Sequence, residues 1–236
     1  MTTLGILFMG LLIGLRHAIE TDHLAAVATL ATRSRSMRQT IRLGATWGVG
    51  HTLTLFLFGS VVLWMDTVIP EPLAQGLEFA VGGMLVLLGL DVLHRLWRER
   101  VHFHLHRHED GTVHVHAHSH RGQKQHDDAA HAHEHPQGFS LRALLVGMMH
   151  GMAGSAALIL LTLQTIQDPW MGMVHILVFG LGSVVGMALV SAVIAVPMQL
   201  TDRRLTWAHG MFQALIGLFT TATGLWVMAS LWPEMF

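Results

Sequence analysis

The segment LLIGLRHAIETDHLAAV, residues 11–27, places five ionisable side chains inside an apolar stretch. Apolar residues continue on both sides, from about position 4 to position 32, which is long enough for one membrane-spanning helix. Ionisable groups within such a helix are costly, and they normally face a cavity, a partner or an ion. The segment therefore predicts a membrane span that carries a functional site.

The composition of the whole chain indicates a multi-span membrane protein. Of the 236 residues, 52% are hydrophobic and 12% are charged, whereas about 25% of the residues in soluble domains are charged. The first apolar window lacks a basic region and a cleavage site, so we expect a retained span rather than a signal peptide. Windows of sufficient length lie near 4–32, 43–65, 73–97, 140–165, 170–198 and 206–232. We therefore predict an all-α membrane protein with six transmembrane helices.

The basic residues predict the orientation of these helices. Thirteen of the fourteen lysines and arginines lie in or beside three alternate connections, within 33–42, 95–142 and 203–204. The charged residues of the connections on the other side are all acidic: Asp66, Glu71, Asp168 and Glu234. Because basic loops remain in the cytoplasm, we expect a multi-pass inner-membrane protein with both termini outside and a cytoplasmic loop at 98–138.

A second stretch, LLVGMMHGMAGSAALIL at 144–160, resembles the first. Both place a glycine three residues before a histidine, and Gly48-Val-Gly50-His51 corresponds in the same way to Gly180-Leu-Gly182-Ser183. Three helices per half is an odd number, so the second half is expected to be inverted, an architecture typical of transporters. The alternative is that small residues recur because membrane helices pack through them. We predict a first repeat at 1–97, a histidine-rich loop at 98–138 and a second repeat at 139–236.

The spacing of the two histidines in the first span predicts a broken helix. His17 and His23 are six residues apart, which places them about 120° apart around a straight helix. They can bind one ion only if the helix unwinds near Glu20–Asp22, and broken helices are tolerated where they line a cavity. Without cysteine, the available ligands for a transition metal are mainly imidazoles and carboxylates. Our predicted metal ligands are His17, Asp22, His23 and His51, with Glu20 and His150 as further candidates. The alternative for Asp22 is that it orients a ligating imidazole without binding the ion itself.

Two structural alternatives stay open for these residues. His51 and His150 are equally compatible with packing between helices, each bonded to a neighbour. The group His17, Asp22 and His23 is also compatible with an internal polar network that binds no metal.

The segment 98–138 is polar and rich in histidine. Twelve of the nineteen histidines lie between His102 and His135. Such tracts bind divalent metals in several arrangements. We expect a loop without regular structure that buffers, senses or releases metal ions.

Three motifs resemble a known family. RHAIETDH at 16–23 resembles the signature of the nickel/cobalt transporter (NiCoT) family, His-x4-Asp-His within a helix and preceded by Arg. Gly50-His51-Thr52 is similar to that family's second motif, Gly-His-Ser/Thr. HGMAGSAAL at 150–158 is similar to the short, urease-accessory-like (UreH-type) branch. The resemblance implies transport of Ni²⁺ or Co²⁺ by means of His17, Asp22, His23 and His51.

Three classes of function compete. The favoured one is a secondary transporter of Ni²⁺ or Co²⁺, with uptake preferred to export and Zn²⁺ as an alternative cargo. An intramembrane metalloenzyme is less favoured, because the dense histidines lie in a loop rather than in clusters at helix ends. The third is a sensor or accessory subunit that acts through the histidine-rich loop. We expect no enzyme activity and no nucleic-acid partner. The expected partners are the metal ion, the lipid bilayer and cytoplasmic nickel-handling proteins.

Overall fold

The fold is described by a computed structural model. The backbone is described for residues 2–34, 36–65, 69–98, 102–107, 113–118, 140–166, 168–204 and 206–235. Side chains are described for the same residues except those of 102–107, 113–118, 154–165, 202–207 and 234–235. The elements are α1 Thr3–His17, α2 Thr21–Ala31, α3 Met37–Met65, α4 Glu71–Arg98, β1 His102–Arg107, β2 Val113–His118, α5 Leu141–Thr165, α6 Pro169–Arg204 and α7 Thr206–Met235.

The helices coincide with the six apolar windows of the sequence. Four of them, α3, α4, α6 and α7, are long and apolar enough to cross a membrane, and α1 with α2 adds a fifth span when counted as one. In α5, the described part Leu141–Ala153 is a shorter apolar helix. The chain is thus a helical protein with several membrane spans. The count of six spans and the orientation of the termini stay predictions.

The histidine-rich loop contains regular structure, contrary to our expectation. β1 and β2 pair antiparallel, with His102 opposite His118 and His104 opposite His116. The segments HFHLHR and VHVHAH alternate histidine with other residues, mostly apolar, and alternation with a period of two is typical of a strand. The alternation, rather than the high content of histidine, is the feature that indicates these strands. Arg98, the first residue of the predicted loop, ends α4, and apart from β1 and β2 the other residues of that loop lie outside the described ones.

The first span is broken, as the histidine spacing requires. α1 ends at His17, α2 begins at Thr21, and the two helices are bent by 57°. Glu20 is extended, with φ −63° and ψ 149°, so it ends the helical path of α1 and serves as the N-cap of α2. The break lies at 18–20, slightly before the predicted position, and Asp22 belongs to the first turn of α2.

Close helix contacts through glycines hold the two parts of the chain together. A β-carbon at Gly14 of α1 would overlap the carbonyl oxygen of Phe179 on α6, and one at Gly147 of α5 would overlap that of Trp47 on α3. The carbonyls of Leu144 and Leu11 face Gly50 and Gly182 in the same reciprocal way. Only glycine lets these backbones approach so closely. The contacts fix how far α3 stands from α5 and α1 from α6.

α4 and α7 pack against each other through two further glycine pairs. Gly82 and Gly224 each lie against the other's carbonyl oxygen, and so do Gly89 and Gly217. α4 also contacts α2 and α5 on its other side. There, Leu30 of α2, Leu88 of α4 and Val146 of α5 belong to one buried apolar cluster, and we call these three residues the apolar layer.

Candidate metal centre

Three imidazoles meet where the first span is broken. His17 is the last residue of α1, His23 lies in the first turn of α2, and His51 lies at the middle of α3, fourteen residues from either end. The ring centroids are 4.1 Å apart for His17 and His23, 5.1 Å for His23 and His51, and 5.3 Å for His17 and His51. One ring nitrogen of each lies within 4.8 Å of those of the other two. At these separations the three nitrogens could hold one metal ion.

Several of these nitrogens have no hydrogen-bond partner among the described residues. They are Nε2 of His23 and both ring nitrogens of His51. The two side chains are buried, and His51 has an exposed fraction of 0%. A buried polar atom without a partner costs free energy. Such a cost is expected at a site that awaits a ligand.

Two carboxylates contact ring nitrogens of the imidazoles. Oδ1 of Asp22 lies 2.9 Å from Nδ1 of His23, and its Oδ2 lies 2.8 Å from Nε2 of His150 on α5. Oε1 of Glu20 lies 3.0 Å from Nδ1 of His17. In metal sites, a ligating histidine commonly donates its second N–H to a carboxylate, which fixes the ring and raises its basicity. Asp22 and Glu20 occupy that position here.

His150 connects the second half of the chain to the cluster. Its ring centroid is 4.3 Å from that of His23, and Asp22, His23 and His150 form a second group whose ligand atoms lie within 4.8 Å of one another. His23 therefore belongs to both groups. All six residues selected from the sequence lie in this cluster. That they bind metal stays a prediction.

Two aromatic residues outside the predicted set lie against the imidazoles. The Trp47 ring centroid is 5.3 Å from His23 and 5.4 Å from His150, and Phe179 is 5.3 Å from His17. Both lie next to the close-packed glycines of the opposite helices. Trp47 and Phe179 are themselves buried, so they cover part of the cluster with apolar ring surface. Their position four residues before His51 and Ser183 is the signal that could have identified them.

A cavity of about 630 Å³ leads to the cluster. Its lining includes His17, Asp22, His23 and His150 together with residues of α4 and α7, among them Glu78, Thr223 and Val227. The described lining contains the acidic residues Glu20, Asp22 and Glu78 and neither lysine nor arginine. Glu78 is not among the predicted site residues, although it is the only ionisable residue of α4 between Glu71 and Asp91. This acidic, His-lined cavity suits a cation.

One comparison with known proteins identifies a relative of nearly the same length. The urease accessory protein UreH of Bacillus sp. (strain TB-90) is 33% identical to this chain over 233 residues. The match covers 97% of this chain and 92% of the relative. No protein-family model matches the chain, and no solved structure matches it.

Proposed function

Because the chain belongs to the UreH family of urease accessory proteins, we propose that it transports a divalent metal ion, Ni²⁺ or Co²⁺, through the membrane. The observation that carries the proposal is the cluster of His17, His23 and His51. These residues bring three imidazoles together at a helix break, and the buried nitrogens of His23 and His51 are unpartnered. A packing network would pair these nitrogens with protein groups, whereas a binding site leaves them for a ligand.

The cargo follows from the ligands and from the relative. Neutral imidazoles suit Ni²⁺, Co²⁺ and Zn²⁺. The negative charge of Asp22 partly offsets the positive charge of the ion. The relative is named for urease, a nickel enzyme, which favours nickel. We propose His17, His23 and His51 as the primary ligands. Asp22 then holds His23 and His150 in place, which is the orienting role that stays open for it beside direct ligation.

The position of the cavity supports uptake. Its lining includes Glu78 of α4, which lies near the N-terminus of that helix at Glu71. Arg33, Arg95 and Arg142 lie at the opposite end of the bundle, which we call the basic end. Since basic segments favour the cytoplasm, the cavity opens away from the cytoplasm in this proposal. The ion then reaches the site from outside.

The reciprocal glycine contacts support an inverted repeat. Gly14 against Phe179 and Gly147 against Trp47 are equivalent when residues of the first half are shifted by 132 or 133 positions. The contacts of α1 with α6 and of α3 with α5 are equivalent under the same exchange. We infer that two three-helix repeats enclose the site, as in other transporters with inverted repeats.

Metal flux into vesicles tests the proposal. Purified protein is reconstituted into liposomes that contain a nickel-sensitive dye, and Ni²⁺, Co²⁺ or Zn²⁺ is added outside. We expect dye quenching by Ni²⁺ and Co²⁺ that is abolished in His23→Ala and preserved in His209→Ala, because His209 lies outside the cluster. If wild-type vesicles show the same dye quenching as protein-free vesicles with all three metals, transport is excluded. Quenching by zinc alone would show that the transported ion is Zn²⁺ rather than Ni²⁺ or Co²⁺.

A further inference from the structure

Four charged residues form an ion-pair network at the basic end. Asp91 of α4 accepts from Nη2 of Arg33 at 2.5 Å, and its Oδ2 lies 3.5 Å from Nε of Arg95 and 3.5 Å from Nη2 of Arg142. Arg95 also donates from Nη2 to Oγ1 of Thr32 at 2.9 Å. One carboxylate thus joins the segment after α2, the helix α4 and the start of α5.

The apolar layer lies between this network and the imidazoles. Leu30 is three residues before Arg33, and Leu88 is three residues before Asp91. Val146 lies between Arg142 and His150, four residues from each, so it shares their face of α5. All three apolar side chains are at least 91% buried. An ion that leaves the site towards the basic end must pass this layer and then the network.

α2, with the segment that follows it, is joined to α5 both at the site and at the basic end. At the site, Asp22 of α2 contacts His150 of α5. At the basic end, Asp91 contacts Arg33 and Arg142. Glu78 lines the cavity thirteen residues before Asp91, which is about 20 Å along α4. The cavity and the network therefore lie towards opposite ends of α4.

We propose that Asp91 with Arg33, Arg95 and Arg142 forms the gate at the basic end, and that the gate opens to release the ion. The inference rests on the proposed transport function. Asp91 has an exposed fraction of 33%, and partly exposed ion pairs are weak enough to break and re-form repeatedly. When the pairs separate, α2 and α5 can part and the apolar layer admits water. The structure has this gate closed and the cavity accessible.

Thiol labelling tests the gate without any metal. The chain has no cysteine, so single cysteines serve as reporters in the full-length protein in detergent. Val146→Cys reports on the apolar layer, and Val227→Cys reports on the cavity. With a water-soluble maleimide we expect Val227→Cys to react at least tenfold faster than Val146→Cys in the parent protein.

Neutralising the carboxylate should reverse that order. In Asp91→Asn we expect labelling of Val146→Cys to rise at least tenfold and labelling of Val227→Cys to fall. Arg33→Gln, which keeps the carboxylate, should produce a smaller change in the same direction. Arg38→Gln is the matched control, because Arg38 lies at the same end without an ion pair to Asp91 among the described residues. It should leave both rates unchanged.

Two results would overturn the gate. One is unchanged labelling of Val146→Cys in both Asp91→Asn and Arg33→Gln samples that remain monodisperse. The other is a rise at both reporters together, which indicates general loosening rather than a gate. Should Asp91→Asn fail to fold, Arg33→Gln decides alone. A chain that carries no metal still gives these rates, so a failed gate and a failed transport function are distinguishable.

Discussion

At the scale of single residues, His51 combines two properties that seldom occur together. It is fully buried, and neither ring nitrogen has a hydrogen-bond partner among the described residues. A folding role alone does not explain this, because a buried polar group without a partner costs about 1–3 kcal/mol. The proposed ligand role explains it, since the bound ion supplies the missing partner.

Replacement of His51 by leucine should separate binding from stability. Without metal we expect the unfolding free energy of His51→Leu to stay the same or rise by about 1–2 kcal/mol, because an unpartnered polar group is removed. Nickel affinity should fall by more than about 100-fold. Loss of a group that only hydrogen-bonds to a ligand costs up to about that factor, and loss of a ligand should cost more. Calorimetric titration and thermal unfolding in detergent measure the two quantities. A less stable protein with unchanged affinity would show a packing role instead.

Ser183 offers the matched control for His51. It occupies the corresponding position of the second half, and its buried hydroxyl likewise has no partner among the described residues. Ser183→Ala should leave nickel affinity within a factor of about two, since a neutral hydroxyl is a far weaker ligand for Ni²⁺ than an imidazole.

Asp22 should behave as a residue that orients ligands. In Asp22→Asn one of its two imidazole contacts must change, because an amide offers one acceptor oxygen and one donor nitrogen. We expect nickel affinity to fall by about 10–100-fold, as for other losses of a group that hydrogen-bonds to a metal ligand. In contrast, His23→Ala should abolish binding. The comparison is made by titration of both variants under the same buffer. Equal loss in the two variants would indicate that Asp22 binds the metal directly.

At the scale of helices, the sequence predicted the break in the first span for a physical reason. Two histidines six residues apart cannot share a helix face, and the structure separates α1 and α2 between them. The contact of Asp22 with His150 was not predictable in this way. It depends on how α5 packs against α3 through Gly147 and Trp47. Packing between segments far apart in the sequence does not follow from local sequence patterns. The place of Glu78 on the cavity wall depends on tertiary packing for the same reason.

Local pattern alone could have revealed the hairpin in the histidine-rich segment. β1 and β2 alternate with a period of two, but we interpreted the segment by composition. Helix boundaries were easier, because long apolar windows have few alternatives.

The close contact of α3 with α5 should be sensitive to one methyl group. In Gly147→Ala, the new β-carbon overlaps the carbonyl of Trp47 and approaches the amide nitrogen of His51, so the helices must separate. We expect a loss of roughly 1–3 kcal/mol of stability, typical of overpacking, together with weaker nickel binding. Thermal unfolding and titration measure both.

Gly83 is the control for this change. A β-carbon at Gly83 meets nothing within 4 Å, so Gly83→Ala should be neutral or stabilising by roughly 0.5–1 kcal/mol. If Gly147→Ala and Gly83→Ala unfold at the same temperature, the close approach of α3 and α5 is not essential for the fold.

At the scale of the whole molecule, the acidic cavity should attract cations before they reach the imidazoles. In Glu78→Gln we expect the apparent KM for nickel to rise by about tenfold with little change in the maximal rate, because electrostatic steering acts on association. The difference should shrink at high ionic strength, where such steering is screened. Glu71→Gln is the control, since Glu71 begins the same helix outside the cavity lining. Vesicle flux at several nickel concentrations measures KM, and an equal effect of both variants would contradict a local role.

Deletion of 102–135 distinguishes a transporter from a sensor. If the site within the helices carries the function, flux should persist with altered affinity or regulation, because His17, His23 and His51 are untouched. The measurement is nickel flux of the deletion variant beside that of the full chain. Complete loss of flux in a folded variant would make the histidine-rich segment the functional part.

The position of the imidazole cluster near the middle of the bundle also has an electrical consequence. Movement of one elementary charge across the membrane potential is worth about 2.3 kcal/mol per 100 mV. An ion held beside His51, midway along α3, has crossed only part of the voltage drop, and the remainder drives its departure. Since a divalent ion carries two charges, the resting potential of a cell is itself a source of energy for its accumulation. If the protein transports nickel as proposed, the flux should therefore change steeply with voltage.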